Sequence, residues 1–327
     1  MTEAAPARRI GVSLAGNARI AGLLLAASGA ALFSTKAIFI KLAYVENGNA
    51  PELLAWRMVF SLPFFLGVGI YALRQRRQSG QPLPDWDMIA GAALNGFIGY
   101  YLAALLDFEA LTYITAQLER LVLFTYPIFV MILGRLFFGA RVTREGVAGA
   151  LITYVGLAVV FGAGVGTSGW AGAVGTTLVL GAALAFAIYQ LFARNFIIAM
   201  GSTLFTAVAM TAASVASIAH FLIASGGAFH VSPTYLALAA GTALFATVIP
   251  SFLMNAGLAR IGPQSAAMIS TLSPLVTIYL AVVFLSEVFT SADAIGTVLI
   301  IGGVGLYSWF DMRSKEPPAS IAAARRS

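Results

Sequence analysis

Residues 146–259 carry a single charged side chain, Arg194, and that fact decides the solvent in which the chain must fold. A water-soluble domain needs a polar surface, and so long an uncharged stretch cannot supply one. The rest of the chain follows suit: 60% of its 327 residues are hydrophobic and only 10% are charged. Most of the surface must therefore face lipid. A helix crossing a bilayer needs roughly 20 apolar residues. Ten such stretches can be marked, at 20–44, 51–73, 88–106, 111–134, 146–163, 172–193, 203–224, 234–257, 264–285 and 294–310. Breaks rich in Gly, Ser or Pro, at 162–172 and 225–233, divide the uncharged region. No soluble domain fits between the spans. The expected fold is all-α and integral to the membrane: ten transmembrane helices between a short arm (1–19) and a basic tail (312–327).

The basic residues orient these spans, because Lys and Arg accumulate on the cytoplasmic side. Arg8, Arg9 and Arg19 precede the first span, and Arg74, Arg76 and Arg77 follow the second. Arg135, Arg141 and Arg144 follow the fourth, Arg194 the sixth and Arg260 the eighth, and Arg313, Lys315, Arg325 and Arg326 lie in the tail. Lys36, Lys41, Arg57 and Arg120 fall inside spans and complete the nineteen. The alternate loops have none and hold acids instead, among them Glu46, Glu52, Asp107 and Glu109. Both termini are thus expected in the cytoplasm, with the chain in the plasma membrane, the inner one of a bacterium. Arg8-Arg9 ahead of an apolar stretch resembles an export signal. The first span is too long for a signal's apolar core, and its removal would spoil the charge alternation.

A shift of 147 residues lays residues 111–160 over 258–307 without a gap. Identities include Leu111 with Leu258, Ile114 with Ile261, Gln117 with Gln264, Pro127 with Pro274, Phe137 with Phe284, Thr143 with Thr290, Gly149 with Gly296 and Gly156 with Gly303. Five spans per copy is an odd number, so the second copy crosses the membrane in the opposite sense, giving two inverted five-helix repeats. The segment Ala110-Leu-Thr-Tyr-Ile-Thr-Ala-Gln117 with Pro127, and its partner Gly257-Leu-Ala-Arg-Ile-Gly-Pro-Gln264 with Pro274 and Phe284-Leu-Ser-Glu287-Val-Phe-Thr290, resemble the EamA repeat of the drug/metabolite transporter superfamily. The resemblance covers both halves, 20–163 and 172–311, and extends to Arg57 near the start of the second span. One departure is that the first copy reads Gly139-Ala140-Arg141-Val142-Thr143 where the family usually has a glutamate, as Glu287 supplies in the second. That glutamate is therefore not an essential paired feature here. The resemblance implies a ten-helix carrier of small metabolites, many such proteins being exporters of amino acids and related compounds, and leaves the cargo open.

Ionisable groups inside a span cost several kcal/mol unless paired or hydrated, which makes them functional candidates. At about 1.5 Å per residue from the outer span ends, Lys36, Arg57, Glu119 and Arg120 lie about 9 to 13 Å deep, while Lys41, about 5 Å in, can reach the surface. The four come from the first, second and fourth spans at one depth near the membrane centre, where carriers place their substrate. The architectural reading is that Glu119 neutralises Lys36 or Arg57 and pins helices together. One carboxylate against three cations leaves positive charge over, which suits an anionic group of a cargo better than packing does. A helical wheel puts Gln117, Arg120, Phe124 and Pro127 on one face of the fourth span and Glu119, Leu123 and Tyr126 on the next. Polar or aromatic wall candidates are Asn95, Tyr100, Tyr101, Tyr189, Gln190, Asn255 and Gln264, for whose aromatics an ordinary lipid-facing place is the alternative. Ala266 and Ala267 stand at the repeat positions of Glu119 and Arg120, so the charge chemistry is one-sided. Pro127 and Pro274 each remove a helical hydrogen bond, predicting kinks that serve as gate hinges or persist as inherited shape.

Other chemistries find little material. The chain has no cysteine and two histidines, His220 and His230, and lacks His-Glu-x-x-His and Gly-x-Ser-x-Gly. No metal or cofactor is expected, and no nucleic acid, since the basic residues sit between apolar segments. Gly162-Ala-Gly-Val-Gly166 has no strand before it and is discounted as a nucleotide fingerprint. A channel would need repeated filter residues, and only Gln117 and Gln264 repeat. The reading is a secondary transporter, with a channel or a membrane-embedded enzyme as alternatives. Its implied partners are a small-molecule cargo, membrane lipid, and a proton or other coupling ion. The seven-residue spacing of Gly149/Gly156 and Gly296/Gly303 predicts close helix approach, within the protein or at a homodimer contact.

Overall fold

The computed structural model of the chain describes residues 7–46, 48–139, 144–225, 232–254, 256, 257, 260 and 273–315. Among them all regular structure is helical. Seven described helices are long and apolar enough to cross a membrane: Ile20–Val45, Ala50–Gln78, Trp86–Ala110, Ala116–Phe138, Gly169–Ala193, Ser202–Ala224 and Pro233–Met254. Ser273–Leu285 and Ser291–Leu306 are shorter apolar helices. That is fewer full-length spans than the ten expected, and the shortfall has identifiable sources. The break placed at 162–172 narrows to one residue, Gly169 (φ 57°, ψ −139°), inside a helical run that otherwise extends over Arg144–Met200. Residues 261–272, the expected start of the ninth span, lie outside the described residues. The fourth span begins at Ala116 rather than 111, because 111–115 form a turn closed by Thr115, whose hydroxyl accepts from Leu118 N–H.

The 147-residue offset of the sequence is also written into the helix boundaries. Trp86 and Pro233, 147 residues apart, each begin a helix. Phe138 and Leu285, again 147 residues apart, each end a helix, and those helices contain Pro127 and Pro274. N-caps match as well: Asp85 accepts from Met88 N–H, and Ser232 accepts from Tyr235 N–H. Two π-helical stretches, Phe97–Leu102 and Leu244–Val248, start at the same offset. In the second, Thr247 Oγ1 donates to the carbonyl of Thr242, five residues back.

Glycine positions set how closely the halves approach. A methyl group built on Gly296 would stand 1.9 Å from Val160 Cγ2, and one on Gly303 would stand 2.5 Å from the Gly149 carbonyl. Only hydrogen fits there, so helix Ser291–Lys315 lies directly on the segment that begins at Arg144. The repeated glycine face is thus used within the chain. The first span is joined to the second half by Ser34, whose Oγ lies 2.7 Å from Ser273 Oγ and whose carbonyl accepts from Thr277 Oγ1 at 3.1 Å. Between 28% and 44% of each span is buried inside the molecule, so the remaining apolar surface needs lipid.

Candidate functional site

The first span is not one continuous helix. At Thr35 the backbone tightens: Thr35 N–H bonds to the Leu32 carbonyl, and Thr35 Oγ1 donates to the same oxygen at 2.6 Å. A new helix, Lys36–Val45, starts immediately after the turn with Lys36 as its first residue. This break sends the Lys36 ammonium sideways into the bundle. There it meets Asp107 Oδ2 at 2.5 Å and Glu119 Oε1 at 3.6 Å.

Asp107 corrects the sequence reading, which set it in a loop. It lies in helix Ala103–Ala110, only 2% exposed, because the third span continues past 106 to Ala110. Glu52, also assigned to a loop, is buried in the first turn of Ala50–Gln78, where its N–H is capped by Asn49. The centre therefore holds two carboxylates, and the one-against-three arithmetic no longer applies. Asp107 and Glu119 also act on each other electrostatically. Neither Glu119 oxygen, nor Asp107 Oδ1, receives a hydrogen bond from a donor group. A proton between the two carboxyls is what would make their contact attractive.

Glu119 has no exposure and lies 4.0 Å from Arg120 Nε. Arg120 also donates through Nη2 to the Phe33 carbonyl at 3.3 Å, just before the Thr35 turn. The wheel's single face does not carry through, because the helix breaks at Phe124 and Thr125 and both Glu119 and Arg120 contact the first span. Gln117, on the same helix, is buried, and its Oε1 has no hydrogen-bond partner.

Arg57 is placed differently from the other cations. Its guanidinium lies over the Phe108 ring, Cζ 4.8 Å from the centroid, and the residue is 6% exposed. Among the described residues no carboxylate comes within 4.0 Å of it, and its Nε has no hydrogen-bond partner. Lys36 and Arg120 thus lie within 4.0 Å of Asp107 or Glu119, and Arg57 is left as the buried positive charge without a close ion pair, attracted to Asp107 only over a longer distance. Phe108 was missed by sequence reasoning. Its signal was its place beside Asp107, at a span end whose turns continue the stripe from Tyr100 through Ala103 and Ala104.

The aromatic candidates form a separate group. Tyr100 and Tyr189 pack edge to face at 4.9 Å, with Tyr189 Oη donating to Tyr100 Oη at 3.1 Å. Asn95 is buried and donates to the Tyr189 carbonyl. Phe186 and Tyr126 extend the row toward Phe124. Tyr101 turns instead toward Phe97 and His220. Gln190 does not join any of these: it is exposed on the outside of the bundle, because its neighbour Tyr189 takes the inward face. Asn255 and Gln264 lie outside the described residues. Pro127 coincides with a break at Phe124 and Thr125, where Thr125 Oγ1 bonds back to the Val122 carbonyl.

The EamA-like transporter family matches this chain over residues 20–162 and 173–309. Among curated proteins, the uncharacterized transporter YcbK of Bacillus subtilis (strain 168) is 30% identical over 300 residues, covering 88% of this chain and 90% of that one. The uncharacterized transporter YdfC of the same organism is 27% identical over 227 residues, covering 68% of this chain and 72% of that one. A solved structure, described only as a crystal structure of a protein, superposes with a TM-score of 0.59 at 20% identity, over 90% of this chain and 99% of that one. That last likeness concerns the fold alone. With two apolar helical copies, related by one offset and enclosing a charged centre, the chain is a multi-pass membrane protein and belongs to the EamA-like transporter family.

Proposed function

We propose that the protein is a secondary carrier working by alternating access, and that it exports a small anionic or zwitterionic metabolite, of the amino-acid class, across the plasma membrane. The observation that carries this reading is Arg57, a buried guanidinium over Phe108 with no carboxylate within 4.0 Å among the described residues. Such a charge costs several kcal/mol in an empty membrane protein, and a cargo carboxylate arriving above Phe108 removes that cost. Binding energy is then tied to the occupied state, as a carrier requires. The unpartnered Gln117 oxygen and the Asp107 and Glu119 carboxyls are acceptors for a cargo ammonium. A proton held between those carboxyls is the coupling ion that this arrangement favours, since a cargo ammonium and a proton would compete for the same oxygens.

The test is counterflow into liposomes holding the purified protein, with amino acids, organic acids and nucleobases as competitors. Saturable exchange of a carboxylate-bearing compound is expected. Replacing Arg57 with Gln should weaken its binding by roughly 2 to 5 kcal/mol, the scale of a broken buried charge pair. Arg57→Lys keeps the charge but not the flat stacking on Phe108, and should lose less. Wild-type affinity in Arg57→Gln would remove the site from the reading.

A further inference from the structure

Glu287 belongs to the second half, yet its carboxylate is spent on the first. Oε1 accepts from Ala116 N–H at 2.8 Å and Oε2 from Gln117 N–H at 3.2 Å. These are two of the backbone donors that helix Ala116–Leu123 leaves unsatisfied at its start, and a carboxylate there also meets the positive end of the helix dipole. The helix so held is the one that carries Gln117, Glu119 and Arg120. Thr115 supplies its ordinary cap, so Glu287 is an additional tie made across the two halves.

The backbone before Glu287 is shaped to aim it. Helix Ser273–Leu285 ends with Ser286 at φ 54°, a left-handed conformation that L-residues other than Gly, Asn and Asp seldom adopt. Glu287 N–H then bonds back to the Ala281 carbonyl, six residues earlier, which closes the chain reversal. At the equivalent place in the first half stands Gly139, φ 62°, at the end of Tyr126–Phe138. A left-handed residue follows the helix in both halves, but the carboxylate has no counterpart. By the 147-residue offset Ala140 occupies the place of Glu287, and Pro263, which has no N–H, occupies the place of Ala116. Neither the acceptor nor the first donor of a reciprocal tie exists in the sequence.

We infer that Glu287 is a positioning residue that holds the cluster-bearing helix from the opposite half and so latches the end of the bundle at which Glu46 and Glu109 lie. Because the reciprocal tie is missing, the empty carrier rests closed at this acidic end. The inference rests on the alternating-access reading of the two halves. Breaking the tie frees the N-terminus of Ala116–Leu123 and lets that end open more often.

The cysteine-free chain allows a direct test. Ala116→Cys places a thiol at a fully buried position beside the tie. A membrane-impermeant thiol reagent is applied from whichever side labels Tyr113→Cys, an exposed residue of the adjacent turn. With Glu287 intact the reporter should react slowly. Glu287→Gln, which keeps shape and loses charge, and Glu287→Ala should each raise its rate about tenfold, and Glu287→Asp should fall between. Unchanged protection in folded Glu287→Gln and Glu287→Ala overturns the inference. So does loss of folded protein in all three variants, which would make the carboxylate purely architectural. The reporter needs no cargo, so this result is separable from the fate of Arg57→Gln in counterflow.

Discussion

At the scale of residues, the centre of the molecule is two acids arranged against three bases, with different consequences for each member. Asp107 lies closest to Lys36, and replacing it with Asn would leave the ammonium to Glu119 alone. The expected cost is about 3 to 5 kcal/mol, the scale for stranding a buried charge, read as a lowered unfolding temperature in detergent. Glu119 should behave otherwise. Lys36 and Lys41 face its surroundings from the first span, Arg57 from the second, Asp107 from the third and Glu287 from the second half, while Arg120 is its own neighbour in sequence. At low pH one proton between Asp107 and Glu119 makes their contact a hydrogen bond. As pH rises the proton leaves and two carboxylates repel, so transport by the parent should change with pH. Glu119→Gln supplies a permanent donor toward Asp107, and its transport should be flat over the same range while the protein stays folded. A pH profile parallel to the parent's would take the proton away from this pair. Lys36, Arg57, Glu119 and Arg120 could be picked out in the sequence because each is a charge within an apolar run. Asp107 could not, because an acid at the end of a run reads as the first residue of a loop. Only the ammonium across from it lets the helix carry it inward.

Among the elements, breaks and close contacts divide the labour. The turn at Thr35 and the break before Pro127 lie on the two spans that present Lys36 and Glu119. Pro127→Ala restores an N–H that can bond four residues back, and should slow or alter transport in counterflow while leaving expression and unfolding temperature near those of the parent. Equal kinetics would leave Pro127 as inherited shape. The glycine contacts should respond in the opposite way. Gly296→Leu forces a side chain into space that Val160 already fills, and should destabilise by about 1 to 3 kcal/mol or more. Gly302→Leu is the control, since nothing stands within 4 Å of a methyl group there. The break at Pro127 and the glycine contacts were readable beforehand, because proline and glycine announce themselves by what they lack, whereas the Thr35 turn was not. The paired π-helices were not readable. Phe97–Leu102 and Leu244–Val248 share no marker residue, and a widened helical turn is decided by packing and by bonds such as that from Thr247 to Thr242.

Over the whole molecule, the offset that matches the helices does not match the charges. Asp107, Glu119 and Arg120 correspond to Met254, Ala266 and Ala267, none of which can hold an ion. The first half therefore carries the charged centre, and among the described residues the second half adds the Glu287 carboxylate at the start of the helix that bears Glu119 and Arg120. Which membrane face this asymmetry serves depends on orientation, and the basic residues predict it. Arg74, Arg76 and Arg77 end the second span, and Arg76 ties that end to the Ala199 carbonyl, whereas Glu46 at the other end accepts from Ser232. A bilayer keeps such arginines on its cytoplasmic side. Gln78→Cys and Tyr113→Cys, both exposed, report on the two ends in a chain with no other thiol. In intact cells an impermeant reagent should label Tyr113→Cys and spare Gln78→Cys, and in inverted vesicles the pattern should reverse. With that result, the Glu287 latch closes the outer face and the resting carrier takes its cargo from the cytoplasm, the polarity an exporter needs. Labelling of Gln78→Cys in intact cells would invert the molecule, and with it the direction in which the empty carrier waits for cargo.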